Sequence, residues 1–131
     1  MTDELMELGR RAVACRGWRW MPGMVTIHGE RVVAVNHAAE WLHLAVCSDE
    51  PNRGRLVFNP WKTCLPDFSD AATLGCLLAL VRKAWGDERA SANASPYGDG
   101  RWGVVDSNAL RFHAMGATER EALVAALEAA P

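Results

Sequence analysis

The sequence predicts a single α+β domain over residues 1–131, mostly antiparallel sheet with three helices. Three observations predict it. Apolar residues recur at the helical period in three segments, each with cap chemistry at an end. The stretches between them alternate and are punctuated by turn residues, so strands follow one another in hairpins. Half of the 131 residues are hydrophobic and 23% are charged, a composition from which a chain of this length builds one core without staples.

The first helix is expected over Thr2–Arg16. Thr2 is its N-cap, acids fill the first turn, and Leu5, Leu8, Ala12 and Cys15 form the apolar stripe. Glu7 stands three and four residues before Arg10 and Arg11 and can pair with both. Gly17 reads as the stop. An extended segment follows from Trp18 to Ile27, interrupted by Pro22-Gly23. His28-Gly29-Glu30 is a turn and Arg31–Val35 the returning strand. Trp41–Cys47 alternates, with Leu42, Leu44 and Val46 on one face. Ser48–Gly54 is a loop, and Arg55–Asn59 another short strand.

Ser69–Trp85 is the strongest helix. Ser69 and Asp70 are cap residues, and Leu74, Leu77, Leu78, Val81 and Trp85 make its stripe. Arg82 and Lys83 suit the negative end of the helix dipole, and Gly86 stops it. Asp99-Gly100 signals a two-residue hairpin before Arg101–Val105. Asp106-Ser107-Asn108 is a turn before a strand at Ala109–His113. Thr118 and Glu121 form a capping box for the last helix, whose stripe is Leu123, Val124 and Leu127. Strands that come in hairpins pair antiparallel, and the helices then cover sheet faces.

Charge and composition exclude several functions. The net charge of −2 argues against a general nucleic-acid binder, which carries a basic excess. The longest apolar runs, such as Leu77–Val81, are too short for a membrane span. The beginning is acidic (Asp3, Glu4, Glu7) where a signal peptide is basic, so the expected location is the cytoplasm. The four cysteines form no C-x-x-C pair, and reduced thiols are expected. His43 and Cys47 would share a strand face, with His28, His37 and Cys64 as conceivable companions, but the close ligand pairs of a zinc site are missing. Cys15, near Arg16 and Arg19, lies on the apolar face of the first helix, where packing explains it better than nucleophilic catalysis. Asp67/Asp70 and Asp87/Glu88 sit at helix ends, where capping and solvation account for them. There is no Walker-type loop and no nucleophile elbow. No enzyme activity, metal or cofactor is expected.

The stretch Arg10–Met24 stands out: four arginines, two tryptophans and no acid. Arginine presents a planar fork to phosphate, and tryptophan a face on which a base stacks. The candidate ligand-binding residues are therefore Arg16, Trp18, Arg19 and Trp20. Arg31, Trp61 in the Asn59–Lys62 loop, and Trp102 beside the hairpin turn join them. On a strand, Trp18 and Trp20 share a face that Arg19 does not. The competing structural reading packs these tryptophans under the first helix and pairs the arginines with nearby acids.

The pieces LMELGRRAVACRGWRWMPGM, PDFSDAATLGCLLALVRKAWG and ATEREALVAALEAA resemble a family of small bacteriophage proteins with an α/β/α-sandwich domain. Val25–Thr63 and Ala90–Phe112 carry no part of it. The resemblance implies a phage origin and a layered α/β/α fold, and it brings no catalytic residues. A looser resemblance links ALRFHAMGATEREALVAAL to antitoxin domains with a β-β-β-α core. The functional expectation is a non-enzymatic phage accessory protein, a homo-oligomer, that counters a host defence by sequestering a small nucleotide-type signal. The alternatives are an inhibitor that binds a host protein directly and a nucleic-acid-binding regulator.

Overall fold

The computed structural model describes residues 2–38, 41–46, 54–58, 64–108 and 111–131. Its elements are α1 (Asp3–Val13), β1 (Glu30–Asn36), β2 (Trp41–Val46), β3 (Gly54–Phe58), α2 (Ala71–Trp85), β4 (Ser91–Ala94), β5 (Trp102–Val105), β6 (Phe112–Gly116) and α3 (Glu119–Ala129). The class is α+β: the described residues form three helices and two three-stranded antiparallel sheets, ordered β1-β2-β3 and β4-β5-β6. The chain groups into two compact units, Met1–Ala14 with Arg19–Cys76, and Cys15–Trp18 with Leu77–Pro131.

In the first unit, α1 begins as its sequence dictates: Leu5 N donates to Thr2 Oγ1 at 3.3 Å. Leu8 and Ala12 are buried. The helix ends at Val13, short of Arg16, with Ala14 as C-cap. Gly9 lets the helix approach the segment before α2, because an added Cβ would lie 3.3 Å from the Pro66 carbonyl.

The extended segment expected over Trp18–Ile27 is not a strand. Its ladder contacts are single bridges, Val25 to Arg31 and Thr26 to Pro66. Pro22 has no N–H to give, and Gly23 turns the chain at φ +97°. The turn at 28–30 is as expected. Gly29 takes φ +77°, Thr26 N donates to Glu30 O at 2.8 Å, and the buried Thr26 hydroxyl accepts from the amides of His28 and Glu30.

β1, β2 and β3 pair as a meander. Val32 faces Leu44, and Leu42 stands between Val35 and Val57. Val32, Leu42, Leu44 and Val57 are buried, so these positions are the core side of the sheet. A bulge at Val33 breaks the β1 register, and Val33 is exposed, as is Leu56.

Asp70 caps α2: its Oδ2 accepts from the Thr73 amide and hydroxyl, both at 2.9 Å. The buried stripe is Thr73, Leu77, Leu80 and Val81. It is rotated from the expected one, leaving Leu74, Leu78 and Trp85 half-buried. At the other end Gly86 has φ +62°. Gly86 N donates to Lys83 O, and Asp87 N to Arg82 O, the paired bonds of a Schellman stop.

In the second unit, β4 and β5 form a hairpin with Ala94 opposite Trp102. The turn is wider than the expected two residues. Residues 95–101 form it, closed by Ser95 N donating to Arg101 O at 2.7 Å, with Gly98 and Gly100 at positive φ. β6 starts at Phe112, later than the expected Ala109. A bulge between Val104 and Val105 leaves His113 outside the pairing. The capping box of α3 forms with one change. Glu121 N donates to Thr118 Oγ1 at 3.2 Å, while Glu121 Oε2 accepts from Ala117 N at 3.0 Å. α3 packs on β4-β5-β6 and buries Ala122, Leu123, Val124, Ala126 and Leu127. Gly17 is not a helix stop. An added Cβ there would lie 3.0 Å from Leu127 Cδ1 and 3.3 Å from Ala84 Cβ, so its value is close packing.

Candidate functional site

The tryptophans expected to stack a ligand do not present their faces. Trp18 is 6% and Trp20 4% exposed, and both indole nitrogens are buried. Without a strand over 18–27, the face-sharing argument for them also lapses. Trp102 is half-buried on β5. It stands opposite Gly116, whose added Cβ would lie 2.6 Å from the Ala122 amide of α3, so it belongs to the helix-covered side. Trp61 and Cys47 lie outside the described residues. Arg16 and Arg19 are exposed, Arg16 in the second unit and Arg19 in the first.

Arg31 is part of the scaffold. Its Nη1 donates to Gly23 O at 2.6 Å, and Nη2 stands 3.7 Å from Asp70 Oδ1. Thr73 Oγ1 also accepts from Val25 N at 2.8 Å. One network therefore joins the Gly23 turn, β1 and the start of α2. Burial pushes the Asp70 carboxyl up, but the Thr73 hydrogen bonds and the Arg31 guanidinium outweigh it and hold it below the ordinary carboxylate value. The Cys76 thiol is pushed up by burial and by the Asp70 charge, which opposes nucleophilic use.

A cluster that the sequence did not announce lies in the second unit. His113 Nε2 is 3.0 Å from Asp87 Oδ2. The same oxygen accepts from Ser107 N at 3.0 Å, and Oδ1 from Arg89 N at 3.2 Å. The His113 ring stacks on Trp85, centroids 4.1 Å apart, and Trp85 Nε1 donates to Ala126 O at 2.8 Å. The His113 hydrogen bond chiefly, then the two amides, hold the Asp87 carboxyl below its ordinary value against the opposing effect of burial. Apart from the local Arg89 amide, these contacts tie one element to another: the end of α2, the 106–108 turn, β6 and α3. Beside it Ala79, Arg82, Lys83, Gly86 and Glu88 line an open groove of about 460 Å³, whose arginine donates to Ala90 O at 2.8 Å. Among the described residues no group of three or more histidine, cysteine or acidic side chains is placed to hold a metal ion. Among the described residues no helix is long and apolar enough to cross a membrane.

The surface best suited to a ligand is the side of β4-β5-β6 that α3 leaves uncovered. Val104 is fully buried, so strand alternation turns Gly103 and Val105 the other way. Phe112 stands opposite Val105 and is 52% exposed. Its ring lies over Gly103: an added Cβ there would be 2.5 Å from Phe112 Cδ1. Asn93 faces Gly103, and Ser91 faces Val105. Asn93 Nδ2 donates to Ser91 Oγ at 2.8 Å. The uncovered face thus offers one aromatic ring and one side-chain amide, beside Val105 and Met115, the residue opposite Gly103 on β6. Exposed Tyr97, Arg101 and Arg111 lie in the segments that flank its strands. Comparison with protein-family models, curated proteins and solved structures gives no match.

Proposed function

We propose that the protein acts by binding, without chemistry of its own, and that its ligand is a small nucleotide-type molecule held on the uncovered face of β4-β5-β6. The observation that carries this is Phe112, a large apolar ring kept half in water over a glycine. Stacking of a base on an exposed aromatic contributes about 1–3 kcal/mol. The stacking role moves from Trp18 and Trp20 to Phe112. The phosphate role moves to the exposed Arg101 and Arg111, whose guanidinium groups suit phosphate geometry. The resemblance to bacteriophage proteins supplies the setting: in an infected cell such a surface withdraws a nucleotide defence signal and leaves it intact. A thermal-shift panel of nucleotides tests this. Stabilisation by one nucleotide class, lost in Phe112→Ala, with the ligand recovered unchanged after denaturation, is the expected result. A cleaved ligand, or a shift that Phe112→Ala leaves untouched, overturns it.

A second reading, direct inhibition of a host protein, has its own observation. On the first sheet Val33 is 51% and Leu56 56% exposed, and large apolar side chains held in water suit a protein partner. It predicts that a host protein is retained by the wild-type chain and lost with Val33→Glu and Leu56→Glu, with no nucleotide-dependent shift.

A further inference from the structure

The register of the second sheet puts Asn93 opposite Gly103, the residue over which the Phe112 ring lies. The two residues belong to strands on either side of β5, so their backbones are about 10 Å apart by the usual strand spacing. Two features close that gap. The Phe112 ring leans over Gly103 instead of standing above its own ladder partner, Val105. Gly103 is also the residue opposite Asn93, and it has no side chain to stand between amide and ring. A planar ligand lying on the free face of the ring therefore turns an edge toward the Asn93 amide.

The amide carries the groups to meet that edge. An asparagine side chain has two N–H donors and one carbonyl acceptor. One donor is committed to Ser91 Oγ at 2.8 Å. The second N–H and the carbonyl oxygen remain for a ligand, and Asn93 is exposed. A donor next to an acceptor complements an acceptor next to a donor. A fully ionised phosphate or a plain phenyl ring lacks that pair. Adenine carries it as N6–H with N7, the pairing that asparagine makes bidentately, and again as N6–H with N1.

We infer that Asn93 is the specificity-determining residue of this face, reading the edge of an adenine-type base stacked on Phe112. The inference rests on the nucleotide reading above, and the test separates the two. Adenosine 5′-monophosphate and its N6,N6-dimethyl analogue, which keeps the stacking surface but lacks the N6–H donor, are titrated into wild type, Asn93→Leu and Phe112→Ala. Wild type should prefer the unmodified nucleotide by about tenfold, within the range of one bidentate contact. Asn93→Leu should bind the two equally, with the affinity wild type shows for the dimethyl analogue. Phe112→Ala should lose both. Asn93→Asp keeps the shape and replaces the free N–H by an acceptor, so it too should lose the preference. Binding that depends on Phe112 but shows no preference, or a preference that survives Asn93→Leu, overturns the role of Asn93 and leaves the nucleotide reading standing. Absence of binding by either nucleotide overturns the adenine assignment. If uridine, cytidine and guanosine 5′-monophosphates also fail, the nucleotide reading falls with it.

Discussion

Placing one methyl group at Gly103 isolates the contact on which the proposed surface depends. In Gly103→Ala the new Cβ would stand 2.5 Å from Phe112 Cδ1 and 2.6 Å from Cε1, where carbon atoms pack at about 3.5–4.0 Å. The ring must retreat by about 1 Å or more to restore that spacing. Gly103 is not at positive φ, so its backbone accepts alanine and the cost falls on the ring. Being half-exposed, the ring can swing into water. If it gives up about 40 Å² of buried apolar surface, the loss is about 1 kcal/mol. Exchanging glycine for alanine in a strand returns about 0.5–1 kcal/mol. The net change in stability is then below about 1 kcal/mol. With Phe112 already removed, the same exchange should be neutral or stabilising. Denaturant unfolding of Gly103→Ala, Phe112→Ala and the double variant measures the coupling, expected near 1 kcal/mol. Additive effects would refute the packing of the ring on Gly103. Nucleotide binding supplies the functional half: Gly103→Ala should weaken it nearly as much as Phe112→Ala while leaving the fold intact.

Three further perturbations test the scaffold. Gly116→Ala meets backbone instead of a movable ring, at 2.6 Å from Ala122 N and 2.9 Å from Glu121 C. It should cost several times more than Gly103→Ala, about 3 kcal/mol, at the upper end of overpacking penalties, by the same unfolding assay. Trp20→Ala should behave as a core truncation, losing about 3–5 kcal/mol, and not as a ligand-contact variant. Asp87→Asn should lower the melting temperature in a pH-dependent way. The folded carboxyl is held below its ordinary value, so its stabilisation is fully present above the unfolded value of about 3.9 and is lost as pH falls through the folded one. The deficit of Asp87→Asn should be widest near neutral pH and close below about pH 4.

Much of the scaffold was legible because cap chemistry is local. Thr2, Asp70, Gly86 and Thr118 act within four residues of themselves, and each does what its neighbourhood implies. β2 and the turn at 28–30 read correctly for the same reason. What needed the third dimension was less legible. Trp18–Ile27 has strand-forming residues, but Pro22 and Gly23 break it, so alternation applied there assigned faces to a strand that does not form. Burial of Trp18 and Trp20 is decided by packing, and a basic neighbourhood carries no signal of it. Gly17 follows a helix and looks like a stop, yet its use is against Leu127. His113 and Asp87 are 26 residues apart, and nothing local pairs them. Phe112 escaped notice because β6 was expected to begin at Ala109. The later start and the bulge beside Val105 turn it to the uncovered side.

The proposed ligand site is the Phe112 face of β4-β5-β6. Backbone amide shifts of the ¹⁵N-labelled protein, followed while adenosine 5′-monophosphate is titrated in, test it most directly. Shifts concentrated at Asn93, Gly103, Val105 and Phe112, and their disappearance in Phe112→Ala, are the expected result. Shifts gathered on the first sheet around Val33 and Leu56, or none at saturating nucleotide, would contradict it.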